Sequence, residues 1–94
     1  MTWRKVLIWK VEFDDAAVKE LRKLDHPAQQ DILRYFRERI ATDKDPRRFG
    51  KQLSHDLSNL WRYRVRDYRM ICHIADEKLT VLVLTIGHRK DVYK

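Results

Sequence analysis

Residues 60–71, LWRYRVRDYRMI, decide the fold because hydrophobic and basic side chains alternate on both sides of a short polar interruption. On a pleated strand, successive side chains point to opposite faces of the sheet. The alternation predicts one face with Leu60, Arg62, Arg64 and Arg66, and an opposite face with Trp61, Tyr63 and Val65. A two-residue turn at Arg66–Asp67 then predicts a β-hairpin in which Arg64 lies opposite Arg69.

The predicted hairpin places two guanidinium groups directly across from each other, an arrangement that destabilises a sheet. An anion bound to this face would remove the penalty. The net charge of +7 is also uneven, since residues 44–94 carry twelve Lys and Arg against six Asp and Glu, whereas residues 1–43 carry nine against eight. This asymmetry indicates a polyanionic partner, either nucleic acid or an acidic protein. The alternative is a solvated basic surface that binds nothing.

The segments around the hairpin predict an α+β fold. Residues 3–13 are typical of a strand, which Asp14 or Asp15 follows as the N-cap of a first helix of about three turns. A second helix starts with Pro27 at its first position. Its predicted apolar stripe is Ile32, Leu33, Phe36, Ile40 and Ala41. Residues 42–59 lack a sustained period and predict a loop that Phe49 and Leu53 attach to the core.

Residues 79–86 form an apolar run typical of a strand buried on both faces, which Gly87 ends. The predicted order is therefore β–α–α–β–β–β. It describes an N-terminal strand, an α-helical hairpin and a three-strand antiparallel meander, which together make a four-stranded sheet with the helices on one face. Residues 1–94 are expected to form a single domain.

Metal, cofactor and membrane signals are absent from the sequence. The single cysteine, Cys72, is expected in the core; no zinc-ligand spacing or glycine-rich phosphate loop is present, so we expect no metal and no cofactor. The apolar run 79–86 is too short to span a bilayer, and no signal peptide precedes Trp3. We therefore expect a cytoplasmic protein with no membrane partner.

The end of the last strand is expected to lie beside the hairpin if residues 79–86 pair with residues 68–75. This pairing brings together the basic, imidazole and phenol side chains of Arg62, Arg64, Arg69, His88, Arg89 and Tyr93. Arginines bind phosphate oxygens bidentately and aromatic rings stack on bases, so the cluster favours a phosphate-binding cleft. The alternative is a solvent-facing basic sheet with an ordinary C-terminal tail. His73 either flanks this cleft or is structural, and His26 and His55 are interpreted as surface residues.

The order of elements, the hairpin RYRVRDYRMI and the terminal IGHRKDVY resemble the RelE/ParE superfamily of bacterial toxins over nearly the whole chain. The RelE branch is the closer of the two. This resemblance implies the toxin of a type II toxin–antitoxin system, which enters the ribosomal A site and cleaves the exposed codon without a metal. The implied partners are an acidic RelB-like antitoxin, the 70S ribosome and mRNA. The toxin–antitoxin complex is further expected to bind operator DNA through the antitoxin.

The resemblance also assigns roles by position. Arg62 and Arg64 match the basic residues of the first hairpin strand, and Arg69 matches the D-Y-R arginine that contacts the scissile phosphate. Arg89 matches the basic residue after the glycine of the last strand, and Tyr93 matches the C-terminal aromatic. The surrounding cations expected to contact RNA are Arg47, Arg48, Lys51, Arg66, Lys90 and Lys94.

This chain departs from RelE proper, in which lysines take the places of Trp61, Arg62 and Arg64. Arginine does not usefully lose a proton, so it can stabilise a phosphorane but is a poor base. Proton transfer is therefore left to His88 or Tyr93, although Tyr93 follows Arg89 more closely than in RelE. Arg66 also stands where relatives usually have a turn glycine, which indicates a different turn geometry.

Two other functions fit parts of the sequence. ParE-type toxins share the fold and some of the arginines, and they inhibit DNA gyrase without cleaving nucleic acid. A small basic RNA- or DNA-binding module would explain the charge alone. The arginine set together with the terminal His and Tyr favours the endonuclease.

Overall fold

The computed structural model describes residues 7–53 and 59–88, with two helices on one side of a five-stranded sheet. The strands are β1 (Lys10–Phe13), β2 (Lys51–Gln52), β3 (Leu60–Val65), β4 (Tyr68–Ala75) and β5 (Thr80–His88), in the spatial order β1-β5-β4-β3-β2. The helices are α1 (Asp15–Arg22) and α2 (His26–Tyr35); α2 continues as a π-helical turn, Phe36–Ile40. Short 3₁₀ turns occupy Pro46–Phe49 and Asp76–Lys78. The predicted α+β class is confirmed.

The central hairpin has the predicted register. Strands β3 and β4 are antiparallel, with Arg64 opposite Arg69 and Val65 opposite Tyr68. Arg66 begins the turn with a φ of 55°, the left-handed region that costs a non-glycine residue about 1–2 kcal/mol. Its guanidinium Nη2 lies 2.6 Å from Asp31 Oδ2 of α2. The side chain of Arg66 therefore turns toward the helices, and its predicted place on the face of Arg64 is wrong.

The sheet has one strand more than the four that were predicted. Lys51 and Gln52 pair with Arg62 and Trp61 along the free edge of β3, inside a segment predicted to be a loop. Two residues are too few to leave an alternating pattern in a sequence. At the opposite edge β1 runs parallel to β5, and among the described residues it begins at Lys10. The predicted strand began at residue 3. This start is wrong for residues 7–9, which are not part of β1, and residues 3–6 lie outside the described residues.

Strand β5 contains one extra residue relative to β4, and this changes which side chains reach the core. Ile71 pairs with Thr85 and Cys72 pairs with Val83, so Leu84 has no partner on β4. Because of this β-bulge, Val83 and Ile86 both face the core although three positions separate them. The predicted burial on both faces is wrong, since Leu84 is only half-buried, and Gly87 does not end the strand.

The helices cover the sheet face that carries Tyr63, Met70 and Cys72. Asp25 caps α2, because its Oδ1 accepts a hydrogen bond from Ala28 N at 3.0 Å, with Pro27 as the second helical residue. Helix α1, at eight residues, is shorter than the three turns predicted, and its N-cap Asp14 makes no side-chain capping bond. No helix of the described ranges is long and apolar enough to cross a membrane.

The 3₁₀ turn Pro46–Phe49 is fastened to the sheet by polar contacts rather than by the predicted apolar ones. The Tyr63 hydroxyl donates a 2.7 Å hydrogen bond to the carbonyl oxygen of Pro46, and both residues are fully buried. Phe49 and Leu53, expected to pack in the core, are 40% and 39% exposed. Leu33, predicted in the apolar stripe of α2, is 42% exposed.

We expect Tyr63→Phe to lower the free energy of unfolding by about 1–2 kcal/mol, because it leaves the buried carbonyl of Pro46 without its donor. Equilibrium urea denaturation followed by circular dichroism measures the change. Tyr35→Phe serves as a control, since the Tyr35 hydroxyl makes no hydrogen bond to another described residue. Equal stability of Tyr63→Phe and the wild type would contradict the attachment.

Burial raises the pKa of the Cys72 thiol above its ordinary value, so the folded protein holds it protonated. We expect Cys72 to resist iodoacetamide in the native protein and to react in urea, since the thiolate is the reactive form. The thiol of an unfolded chain ionises at about pH 8.5. Above that pH only the unfolded state loses the proton, so the free energy of unfolding is expected to fall as the pH rises. Mass spectrometry of the alkylated chain reads out the first effect.

Candidate functional site

The sheet face turned away from the helices carries a cationic patch built from three neighbouring strands. Partners in an antiparallel ladder share a face, so the register puts Arg62 and Arg64 of β3 on the same side as Arg69 of β4. The next residue in the row of Arg64 and Arg69 is Gly87 of β5. Gly87 adds no side chain to this row. We call these residues, with Lys51, the arginine face.

Arg69 lies at the centre of the arginine face and is only 7% exposed, whereas Arg64 is exposed and Arg62 is half-buried. Burial restricts the rotamers of a long side chain and therefore holds the guanidinium in place. A guanidinium presents up to five N–H donors in a planar fork that matches phosphate oxygens. The surface therefore presents one buried guanidinium, that of Arg69, and two more accessible ones, those of Arg62 and Arg64.

Lys51 extends the arginine face onto the edge strand. It lies opposite Arg62 in the β2–β3 ladder and is exposed. Its ammonium group is a compact charge on a flexible stem, unlike the planar guanidinium of its neighbours. The sequence indicated a basic loop here, but this alignment with Arg62 depends on the unpredicted strand β2.

Acidic side chains are nearly absent from this sheet. Glu12 of β1 is the single acidic residue in the five described strands. Strand β1 is separated from β4 by one strand, β5, and from β3 by two strands, β5 and β4. Glu12 is therefore remote from the strands that carry the arginines. The cations of the arginine face thus outnumber the carboxylates that the described strands carry.

His88 lies on the other side of the sheet. It pairs with Tyr68, and the two rings meet edge to face with centroids 5.7 Å apart. With Glu20, Lys23 and Leu24 of α1 and its C-terminal end, these rings line a cavity of about 330 Å³. The expected convergence of His88 with Arg69 is therefore not found, because the pleat directs the two side chains to opposite faces.

Two of the cations predicted to contact RNA are held by carboxylates instead. Arg47 donates through Nη2 to Asp76 Oδ2 at 2.6 Å and through Nη1 to Asp45 Oδ1 at 3.3 Å, and it lies over the Trp61 ring. Arg66 is held by Asp31, as described above. Both ion pairs join distant segments of the chain, and contact of Arg47 and Arg66 with RNA stays a prediction.

Arg48 remains accessible, with its guanidinium carbon 4.6 Å from the centre of the Phe49 ring. His73 shares the open face with Arg69 but lies four residues along β4, a distance of roughly 13 Å. His55 and the predicted site residues Arg89, Lys90, Tyr93 and Lys94 lie outside the described residues. Within the described ranges, no three His, Cys, Asp or Glu side chains come together as a metal site.

Comparisons with known proteins agree with this geometry. The profile of a family described as ParE toxin of type II toxin-antitoxin system, parDE, matches residues 11–93. Toxin RelG of Mycobacterium tuberculosis is 29% identical over 86 residues, covering 92% of this chain and 97% of the relative. The mRNA interferase toxin RelE of Escherichia coli is 26% identical over 82 residues, covering 85% of this chain and 82% of the relative.

The fold is shared with solved toxin structures. The crystal structure of the toxin–antitoxin complex RelBE2 from Mycobacterium tuberculosis matches with a TM-score of 0.77 and 29% identity, over 93% of this chain and 98% of that chain. The isolated RelE toxin of Escherichia coli matches with a TM-score of 0.67 and 25% identity, over 90% of each chain.

Fold, arginine face and relatives together define a class: the small toxins of type II toxin–antitoxin systems in the RelE/ParE superfamily. Within that class, the chain belongs to the ParE toxin family, whose profile spans nearly its whole length.

Proposed function

We propose that this toxin cleaves mRNA on the ribosome, at the codon exposed in the A site. The observation that carries the proposal is the cross-strand pair Arg64–Arg69, with Arg62 beside it on the same face of the sheet. Paired guanidiniums cost stability in a bare sheet, and a phosphodiester between them would turn this repulsion into binding. A relative from Escherichia coli is named an mRNA interferase, which supports the same activity.

In the proposed reaction the ribose 2′-oxygen attacks the adjacent phosphorus while the bond from phosphorus to the 5′-oxygen of the next nucleotide breaks. The products are a 2′,3′-cyclic phosphate and a free 5′-hydroxyl. The proton leaves the 2′-hydroxyl for a base, and the departing 5′-oxygen takes up a proton. The arginines stabilise the extra negative charge on the pentavalent phosphorane, which is where preorganised donors contribute most.

Proton transfer has two candidates once His88 is placed on the far face of the sheet. Lys51 places an amino group on the arginine face itself. Tyr93, proposed from the sequence, remains a candidate outside the described residues. In this scheme the ribosome holds the mRNA in place, and the toxin supplies positioned charge.

A RelB-like antitoxin is the proposed partner that masks the arginine face. The similar structure from Mycobacterium tuberculosis is a toxin–antitoxin complex, which supports this partner. An acidic segment that folds on binding would complement the cationic sheet. Binding of the complex to operator DNA through the antitoxin is part of the same proposal.

Inhibition of DNA gyrase is the second candidate, favoured by the ParE description of the matching family. It requires a protein-binding surface but no reaction at phosphorus. The arginine face, with a buried central guanidinium, is better explained by phosphate chemistry.

Two assays on the purified toxin, free of antitoxin, separate these functions. Primer extension on an mRNA bound to purified ribosomes is expected to show discrete cuts within the A-site codon. A supercoiling assay with DNA gyrase is expected to show no inhibition. Inhibited supercoiling without codon cuts would overturn the proposed endonuclease in favour of the gyrase inhibitor.

A further inference from the structure

A second cationic cluster is centred on the exposed ring of Phe49, which precedes the edge strand β2. The guanidinium carbon of Arg48 is 4.6 Å from the centre of this ring, and that of Arg39 is 5.5 Å away. Arg39 belongs to the π-helical turn after α2, whereas Arg48 and Phe49 belong to the 3₁₀ turn Pro46–Phe49. Two distant segments thus place two like charges on one aromatic side chain. We call Arg39, Arg48 and Phe49 the stacking platform.

No carboxylate of the described residues neutralises the platform. Neither Arg39 nor Arg48 forms an ion pair there, although Glu38 is the chain neighbour of Arg39. In contrast, Arg34 and Arg47 are each paired with an aspartate. Cation–π contacts at an exposed site contribute only about 0.5–1 kcal/mol each and do not remove the repulsion between the guanidiniums. The platform therefore has unsatisfied positive charge next to an apolar ring that is 40% exposed.

This combination matches single-stranded RNA better than an acidic peptide. Single-stranded RNA alternates phosphates, which guanidiniums bind, with bases, which stack on aromatic rings and on guanidinium planes. An acidic peptide would satisfy the two charges but would gain little from Phe49. In single-stranded RNA every nucleotide supplies both a phosphate for the guanidiniums and a base for the ring, so the repeating unit itself fits the platform.

The platform is also close in the chain to the arginine face. Phe49 lies two positions before Lys51, with Gly50 between them, and Lys51 lies opposite Arg62. Two extended residues and two interstrand spacings place the ring on the order of 15 Å from Arg69. A single strand of a few nucleotides is long enough to contact both the arginine face and the platform at the β2 edge of the sheet.

We propose that Arg39, Arg48 and Phe49 form a second RNA contact, which stacks a base and binds phosphates beyond the scissile position. The contact rests on the proposed nuclease function for its biological substrate but has its own chemistry. Arg39 and Phe49 belong to no motif of the hairpin or tail, so sequence patterns alone do not single them out.

Binding of a fluorescein-labelled single-stranded RNA with 2′-O-methyl riboses, followed by anisotropy over a series of salt concentrations, tests the proposal. This probe cannot be cleaved, because it lacks the 2′-hydroxyl nucleophile. We expect Phe49→Leu to weaken binding by about 5- to 10-fold without changing the salt dependence, since it removes stacking alone. The double variant Arg39→Gln/Arg48→Gln is expected to reduce the slope of log K against log salt by about 1.4, which corresponds to two single-strand phosphate contacts.

The matched control is Arg22→Gln/Arg34→Gln, which removes the same charge from the helices outside the platform, and it is expected to keep the wild-type slope. Thermal denaturation of every variant establishes that it is folded. Equal affinities and slopes for wild type, platform variants and control overturn the proposal. Binding of labelled polyglutamate is measured in the same way. A loss of polyglutamate binding in the platform variants, with RNA binding unchanged, would also overturn the proposal and would assign the platform to an acidic protein.

The outcome for the platform is separable from the outcome for the nuclease. Codon cutting with unchanged RNA affinity in the platform variants would leave the nuclease standing and overturn the second contact. Platform-dependent RNA affinity without cutting would support the contact and overturn the nuclease.

Discussion

Arg69→Ala is expected to slow codon cleavage on the ribosome by about 10²–10³-fold, the usual effect of removing one transition-state donor. Arg69 is the central guanidinium of the arginine face, with Arg64 on one side and Gly87 on the other. It is also the most buried member of that face, at 7% exposure, so no neighbour can move into its place without repacking. Quantitative primer extension over a time course measures the rate.

Arg69→Lys is expected to recover only part of the rate, because it keeps the charge but loses the planar fork that binds two oxygens. Arg69→Ala removes a charge that Arg64 repels, whereas Arg69→Lys keeps that charge, and we expect both variants to fold. Circular dichroism of both variants checks this point.

Two further variants make the test specific. Arg34→Gln is expected to cut at the wild-type rate, because Arg34 is exposed on α2 and paired with Asp31. His88→Ala is expected to cut within a few-fold of the wild type, because His88 faces the α1 side of the sheet. A loss in His88→Ala as large as that in Arg69→Ala would contradict the placement of His88. A wild-type rate for Arg69→Ala would remove Arg69 from the site.

Phe36→Ala is expected to have the largest effect on stability, lowering the free energy of unfolding by about 3–5 kcal/mol. Phe36 is 2% exposed and makes edge-to-face contacts with the rings of Phe13, Tyr35 and Tyr63. The centroid distance is 5.7 Å in each of the three pairs. It therefore joins β1, α2 and β3. Small domains are stable by only about 5–15 kcal/mol, so the variant is expected to be largely unfolded at 37 °C.

Urea denaturation of Phe36→Ala, with Leu33→Ala as the control, measures this effect. Leu33 lies nearly one helical turn earlier and is 42% exposed, so its truncation is expected to cost less than about 1 kcal/mol. The codon-cleavage rate of any Phe36→Ala that remains folded is expected to match the wild type, because Phe36 lies on the opposite side of the sheet from the arginine face. A loss of stability below that of Leu33→Ala would contradict the central role of the ring.

The hairpin was predictable because its information is local. Alternation over residues 60–65 and 68–71, with a turn between them, determines which side chains share a face, and the pairing of Arg64 with Arg69 follows. The helical spacing after Asp14 and Asp25 is equally local. These features were sufficient for the α+β class and for three members of the candidate site.

The partners of the other basic side chains could not be predicted, because they lie in distant segments of the chain. Arg47 and Asp76 are 29 residues apart, and Arg66 and Asp31 are 35 apart, so no spacing rule connects them. The sequence alone does not distinguish the basic residues that form ion pairs from those that do not. The tertiary structure brings carboxylates to Arg47 and Arg66. It places Arg39 and Arg48 beside the ring of Phe49 instead.

The sequence by itself determined the strand faces of the hairpin and therefore the arginine face, because a period of two needs only neighbouring residues. The tertiary structure decided the position of His88. A regular strand continued from Val81 and Val83 would put His88 on the open face with Arg69. The extra residue at Leu84 reverses the alternation, and His88 faces Tyr68 and α1 instead. A bulge forms where two strands fit each other, so it depends on β4 as much as on β5.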